Sequence, residues 1–162
     1  MKFKRVRNTS EYTISSPVTE NDIFSMARLL AKKRLAEGKV INCPSDSYVY
    51  LQALMGKYER EVFGSLFLDT QHRIIKFEEL FFGSLNVTNI HPREVVKRAL
   101  VLNAGAVIFV HNHPSGDPSP SNTDTQITIV LRTALNMIDV RVLDHIIVGA
   151  DECVSMTGKG LI

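Results

Sequence analysis

The run AGAVIFVHNH at residues 104–113 constrains the fold more than any other stretch of this chain. It is too short and too apolar for a surface helix, and Val, Ile and Phe favour a strand. A strand that is apolar at successive positions must be covered on both faces, so its sheet has to lie between layers.

The segments around it supply those layers. TENDIFSMARLLAKKRLAEG reads as a helix. Thr19 or Asn21 can cap it, Ile23, Met26, Ala27, Leu30 and Ala31 form an apolar stripe, and Gly38 stops it. PSDSYVYLQALMGKY reads as a second helix, opened by Ser45 after Pro44. EVFGSLFLDTQHRIIKFEELFFG holds two apolar runs split by DTQH, the pattern of a β-hairpin. HPREVVKRALVLN reads as a helix with Pro92 in its first turn and apolar residues at 95, 96, 99 and 100. TDTQITIVLRTALNMI is helical again, with Ile127, Val130, Leu131, Ala134, Leu135 and Ile138 on one side. VRVLDHIIVGADECVSMTG supplies one or two final strands, and residues 1–19 read as a poorly ordered or peripheral arm. The order αα, ββ, α, β, α, ββ describes a mixed α/β domain with a sheet between helices.

Composition narrows the class. The chain has 162 residues, 44% apolar and 22% charged, which suits one globular domain. No apolar run approaches the ~18 residues needed to span a membrane, and the basic start MKFKRVRNTS lacks the apolar core of a secretory signal. The expected setting is the cytoplasm, with no membrane partner. Cys43 and Cys153 form no CxxC pair and read as reduced thiols. Residues 1–60 hold 11 Lys+Arg against 6 Asp+Glu, while the rest of the chain is acidic. That imbalance permits a weak DNA association, although a solvated tail and helix face account for it as well.

The chemistry concentrates in HNHPSGDPSPSNTD, residues 111–124. Side chains alternate along a strand, so His111 and His113 share a face at the strand's end. Asp124 follows eleven residues after His113, beyond a loop stiffened by Pro114, Pro118 and Pro120, in the first turn of the next helix. Two imidazoles and one carboxylate leave a fourth tetrahedral position open, the arrangement of a catalytic zinc site. Ser121 and Asp124 also fit the S-x-x-D capping pattern. A base is needed for the metal's water, and Glu59, Glu61, Glu78, Glu79 and Glu94 compete for that role on spacing alone. Asn112 points away from its neighbours and reads as support for the turn. His72 and His91 read as structural, and His145 as a core histidine or one that supports a ligand from behind.

H-x-H, seven residues, S, two residues, D resembles the JAMM (MPN-plus) motif of zinc metallopeptidases, a group that includes deubiquitinating isopeptidases. The longer string HPREVVKRAL…AGAVIFVHNHPSGDPSPSNTDTQIT…VRVLDHIIVG is similar to the bacterial RadC family, over roughly residues 45–160. The resemblance implies a JAB/MPN (cytidine-deaminase-like) mixed sheet sandwiched by helices. It divides the chain into a basic N-terminal arm and helix at 1–44 and a RadC-like JAB/MPN domain at 45–162. It implies that His111, His113 and Asp124 bind Zn2+, that Ser121 stabilises the oxyanion, and that Glu61 is the general base. Full-length family members carry an N-terminal helix-hairpin-helix region. Residues 1–58 show no such hairpin, so the chain resembles the short forms found in mobile elements.

The expected function is therefore a zinc-dependent hydrolase of amide bonds, a metallopeptidase or isopeptidase acting on a protein or peptide. The alternatives are a DNA-associated accessory protein that uses the zinc fold as a scaffold, and a catalytically silent domain in which zinc steadies the loop. Nucleobase deaminases are set aside because His113 stands where their Glu would be and no PCxxC is present. HExxH proteases are set aside because that string is absent.

Overall fold

Seven strands and four helices are built from the described residues 2–36, 38–83 and 89–162 of a computed structural model. A small hairpin, β1 (Phe3–Arg5) and β2 (Tyr12–Ile14), opens the chain. Helices α1 (Glu20–Arg34) and α2 (Ser45–Met55) follow. The main sheet comprises β3 (Val62–Leu68), β4 (Ile74–Phe82), β5 (Ala106–Asn112), β6 (Arg141–Val148) and β7 (Cys153–Ser155). Helix α3 (Pro92–Val101) joins β4 to β5, and α4 (Asn122–Asn136) joins β5 to β6.

The sheet order is β4-β3-β5-β6-β7. Only β5 and β6 run parallel, and a parallel pair requires a crossover, which α4 supplies. Strands β3 and β5 are buried at every residue, in keeping with the largely apolar runs in their sequences. One face packs Leu66, Ile108, Val110 and Ile146 against Ala31 of α1 and Leu51, Leu54 and Met55 of α2. The other packs Phe63, Phe67, Val107 and Phe109 against Val95 and Ala99 of α3 and Leu131 and Leu135 of α4. The result is the mixed sheet between helices that the sequence implies.

Several local expectations need correction. The arm at 1–19 is not featureless, since Phe3–Arg5 pairs with Tyr12–Ile14 around a turn that places Asn8 at φ 62. Asn tolerates that left-handed conformation better than most side chains. Thr19, not Asn21, caps α1, in a reciprocal capping box with Asp22. The helix ends at Arg34, ahead of Gly38, and Glu37 of the anticipated segment lies outside the described residues. Its apolar stripe is only partly used, for Met26 and Ala31 are buried but Ile23 stays largely exposed. Leu100 and Val130 are exposed as well. Both cysteines are free thiols, and among the described residues no helix is long and apolar enough to cross a membrane.

Removing a fully buried side chain from the sheet leaves a cavity as well as losing transfer free energy. Leu66→Ala should therefore cost about 2–5 kcal/mol in urea unfolding. Leu100→Ala, at an exposed site, should stay within about 0.5 kcal/mol. Equal midpoint shifts for the two variants would contradict this core.

Candidate metal centre

The end of β5 delivers His111 in the strand and His113 just after it, on the side facing α3 and α4. The chain cannot continue as a strand because Pro114 removes a backbone donor. Instead the loop folds back onto the end of β6, where His113 N donates to Val148 O at 2.9 Å and Ala150 N to Gly116 O at 2.9 Å. Gly149 permits this approach, because a Cβ there would sit 2.5 Å from Gly116 O. Helix α4 then starts at Ser121 with a second capping box. Ser121 N and Oγ donate to Asp124 Oδ2 at 2.7 and 2.6 Å, and Asp124 N donates to Ser121 Oγ at 3.1 Å. The same bonds that begin the helix aim the Asp124 carboxylate at the histidines.

His111 Nε2 lies 2.9 Å from His113 Nε2 and 3.3 Å from Asp124 Oδ1, and His113 Nε2 lies 3.6 Å from Asp124 Oδ2. One ligand atom from each of the three residues falls within 4.8 Å of the others. His113 Nδ1 donates to the Asp117 carbonyl at 2.7 Å, since a carbonyl can only accept. In its neutral form His113 therefore turns a bare Nε2 into the site. Two imidazole nitrogens and a carboxylate around one point are a donor set that fits zinc, with a further position left for water.

Charge organises the centre. Burial opposes ionisation of Asp124, but His111 and His113 in their protonated forms, together with the Ser121 hydroxyl, outweigh it and hold the carboxyl far below the usual range. The Asp124 hydrogen bond raises His113 against the effect of burial, with smaller contributions from the Asp117 carbonyl and the charge of Glu61. His145 sits behind His111, wholly buried, its Nε2 2.8 Å from His111 Nδ1. Burial, followed by the neighbouring His111, pushes it well below an ordinary histidine.

The five competing carboxylates differ in burial and pairing. Glu61 is half-buried immediately before β3, and Gly83 N donates to its carbonyl at 2.8 Å. It is the one of the five whose charge registers at His113. Glu78 is paired with Lys76 and Arg98, Glu79 accepts from the Tyr58 hydroxyl at 2.6 Å, and Glu59 and Glu94 are exposed. Ser121 lies beside the carboxylate, its single hydroxyl proton directed at Asp124 Oδ2. His72 occupies the β3–β4 turn at φ 59, and His91 precedes α3 with its ring edge-on to Phe81.

Asn112 does more than support a turn. It is buried on the opposite side of β5 from the histidines, its Oδ1 accepts from Val62 N at 2.9 Å, and its Nδ2 donates to Arg60 O at 3.1 Å. It thus grips the backbone on both sides of Glu61. A buried Asn between two strand-end histidines was the available sign, but its partners lie some fifty residues away. Thr128 was also missed, although it stands one helical turn after Asp124 and therefore shares its face. Its Oγ1 donates to Asp124 O at 2.6 Å and lies 2.5 Å from His145 Nδ1.

A helix-flanked mixed sheet with H-x-H at one strand end and a capping Asp at the next helix defines a JAB-type domain. The family model for the RadC-like JAB domain matches residues 41–161. A UPF0758 protein of Vibrio cholerae is 46% identical over 152 residues, covering 94% of this chain and 96% of that protein. A second Vibrio cholerae UPF0758 protein is 44% identical over 149 residues, 92% of this chain and 94% of its own length. One from Leptothrix cholodnii is 48% identical over 140 residues, 86% of this chain but 63% of the relative. This chain belongs to the RadC-like JAB domain family, within the JAMM superfamily.

Asn112→Ala would strand the Val62 N–H and the Arg60 carbonyl. The expected cost is about 1–3 kcal/mol in stability. Hydrogen exchange should accelerate at the Val62 amide, while metal binding stays unchanged because the side chain faces away from the ligands. Unaltered exchange at Val62 would rule out the grip on Glu61.

Proposed function

We propose that this protein is a zinc-dependent hydrolase of amide bonds, a metallopeptidase or isopeptidase. The observation that carries the reading is the convergence of His111, His113 and Asp124 on one point. Zinc bound there would act as a Lewis acid and bring water's pKa to roughly 7. Glu61 takes the proton of the attacking water as the new C–O bond forms. It passes that proton to the amide nitrogen as the C–N bond breaks, so that a carboxyl and an amine leave. Asp124 stays ionised throughout, its carboxylate accepting from Ser121 N and Oγ. Ser121 can donate to the developing oxyanion only by turning its hydroxyl away from Asp124 Oδ2, so aiming the carboxylate is its resting role. The free thiols Cys43 and Cys153 suit a reducing, cytoplasmic setting.

The test is elemental mass spectrometry on purified protein, paired with turnover on peptide and isopeptide libraries. About one zinc per chain is expected, absent in Asp124→Ala and retained in Glu61→Gln. Glu61→Gln should nevertheless lower kcat by about 10²–10⁴-fold. A chain that takes up no zinc after reconstitution would sink this reading.

A second reading, DNA association, is favoured by one feature. A groove of about 460 Å³ between the β1–β2 hairpin and α1 is lined by Arg5, Lys33, Arg34 and Lys39 together with Tyr12 and Tyr50. Among the described residues none of these four cations pairs with a carboxylate. Cations interleaved with aromatic rings suit single-stranded nucleic acid. On this reading a labelled oligonucleotide binds in a steeply salt-dependent way and binds Asp124→Ala equally well. Lys33→Glu combined with Arg34→Glu should abolish binding, and failure of the unaltered chain to bind at low salt would exclude the groove.

A further inference from the structure

Behind the candidate metal ligands a line of hydrogen bonds starts on the backbone of one ligand and ends on the ring of another. Thr128 Oγ1 lies 2.6 Å from Asp124 O, which has no proton to give. The hydroxyl's one proton must therefore point there, for two acceptors at that distance would repel. Thr128 Oγ1 is then an acceptor towards His145 Nδ1, 2.5 Å away, so His145 carries its proton on Nδ1. His145 is wholly buried and, among the described residues, its ring bonds to no carboxylate; Asp144 accepts from its backbone N instead. A charged ring is costly in such a place. With one N–H already committed, His145 Nε2 can only accept, and His111 Nδ1 donates to it at 2.8 Å. In its neutral form His111 then keeps its lone pair on Nε2.

We infer that Thr128 and His145 are positioning residues that fix the tautomer of His111, so that its Nε2 faces the site as a ready metal ligand. The inference rests on the metal reading above and adds how the site is set before metal arrives. With both rings neutral, the proton order admits one solution because it is anchored on a carbonyl. His113 reaches the same state independently through the Asp117 carbonyl. The two Nε2 atoms stand 2.9 Å apart beside Asp124. Two lone pairs at that separation repel unless a cation or a proton is shared between them. The arrangement thus spends hydrogen-bond energy in advance to present a site with high demand for a cation. Asp124 closes the circuit, because its carbonyl begins the line and its carboxylate completes the ligand set.

Thr128→Val keeps the shape of the side chain and removes only the hydroxyl, while Thr128→Ser keeps the hydroxyl. Zinc affinity measured against a competing chelator should fall about 10–100-fold in Thr128→Val and recover in Thr128→Ser. A residue that served packing alone would give the opposite order. Nitrogen-15 NMR of the imidazoles in the metal-free, unsubstituted protein, at mildly alkaline pH, supplies a readout that needs neither variant nor metal. Both His111 and His145 should show the Nδ1–H pattern. A proton on His111 Nε2, or undiminished affinity in Thr128→Val, would overturn the inference. Absence of zinc binding by the unsubstituted chain would overturn the metal reading instead, and the NMR pattern would still decide the tautomer.

Discussion

A strand buried along its whole length cannot end in polar residues unless each of their atoms finds a partner. Strand β5 faces this requirement at His111 and Asn112, which are 1% and 2% exposed. Water cannot serve these groups, and an unmet buried donor or acceptor costs about 1–3 kcal/mol. Much of the local architecture answers that demand. Asn112 is satisfied by the segment that leads into β3, and His111 by His145 on the adjacent strand. Alternation along β5 sends the two demands to opposite sides of the sheet. One side thereby secures the entry to β3, and the other secures the His111 ring.

The loop after β5 is held with comparable economy of parts. Its first residue hydrogen-bonds to β6, its middle rests against Gly149, and its end is the N-terminus of α4. A ligand set drawn from a strand end and a helix start keeps its geometry only if both elements are fixed relative to each other. The sheet fixes β5, and α4 is fixed by Leu131 and Leu135 in the core. Precision at the site thus derives from packing several residues away from it.

How much of this was legible in the sequence depends on range. The pairing of His111 with His113, the stop at Pro114 and the cap formed by Ser121 and Asp124 are local, and spacing alone locates them. The layered fold was legible because β3 and β5 are apolar at nearly every position. What spacing could not supply is register. His145 meets His111 because β5 and β6 run parallel with Phe109 opposite His145, and nothing near residue 145 encodes that alignment. That Glu61 is half-buried while Glu59 is exposed likewise follows only from the fold. The β1–β2 hairpin escaped notice because its three-residue strands carry Lys, Arg and Thr instead of an alternating apolar pattern. The stripe on α1 overstated burial at Ile23, since periodicity marks a face without saying how far a neighbour covers it.

The tripeptide His111–Asn112–His113 has a consequence for how such a chain can change over time. Its residues serve opposite sides of one sheet through strict alternation, so their roles are assigned by parity and not by identity alone. Adding or deleting one residue between Ala106 and Val110 would turn the imidazoles towards α1 and α2 and the amide towards α3 and α4. Composition along this strand can drift among apolar side chains of similar volume, but its length cannot. Divergence that keeps this centre intact is confined to substitutions, and length variation is relegated to the connections around it.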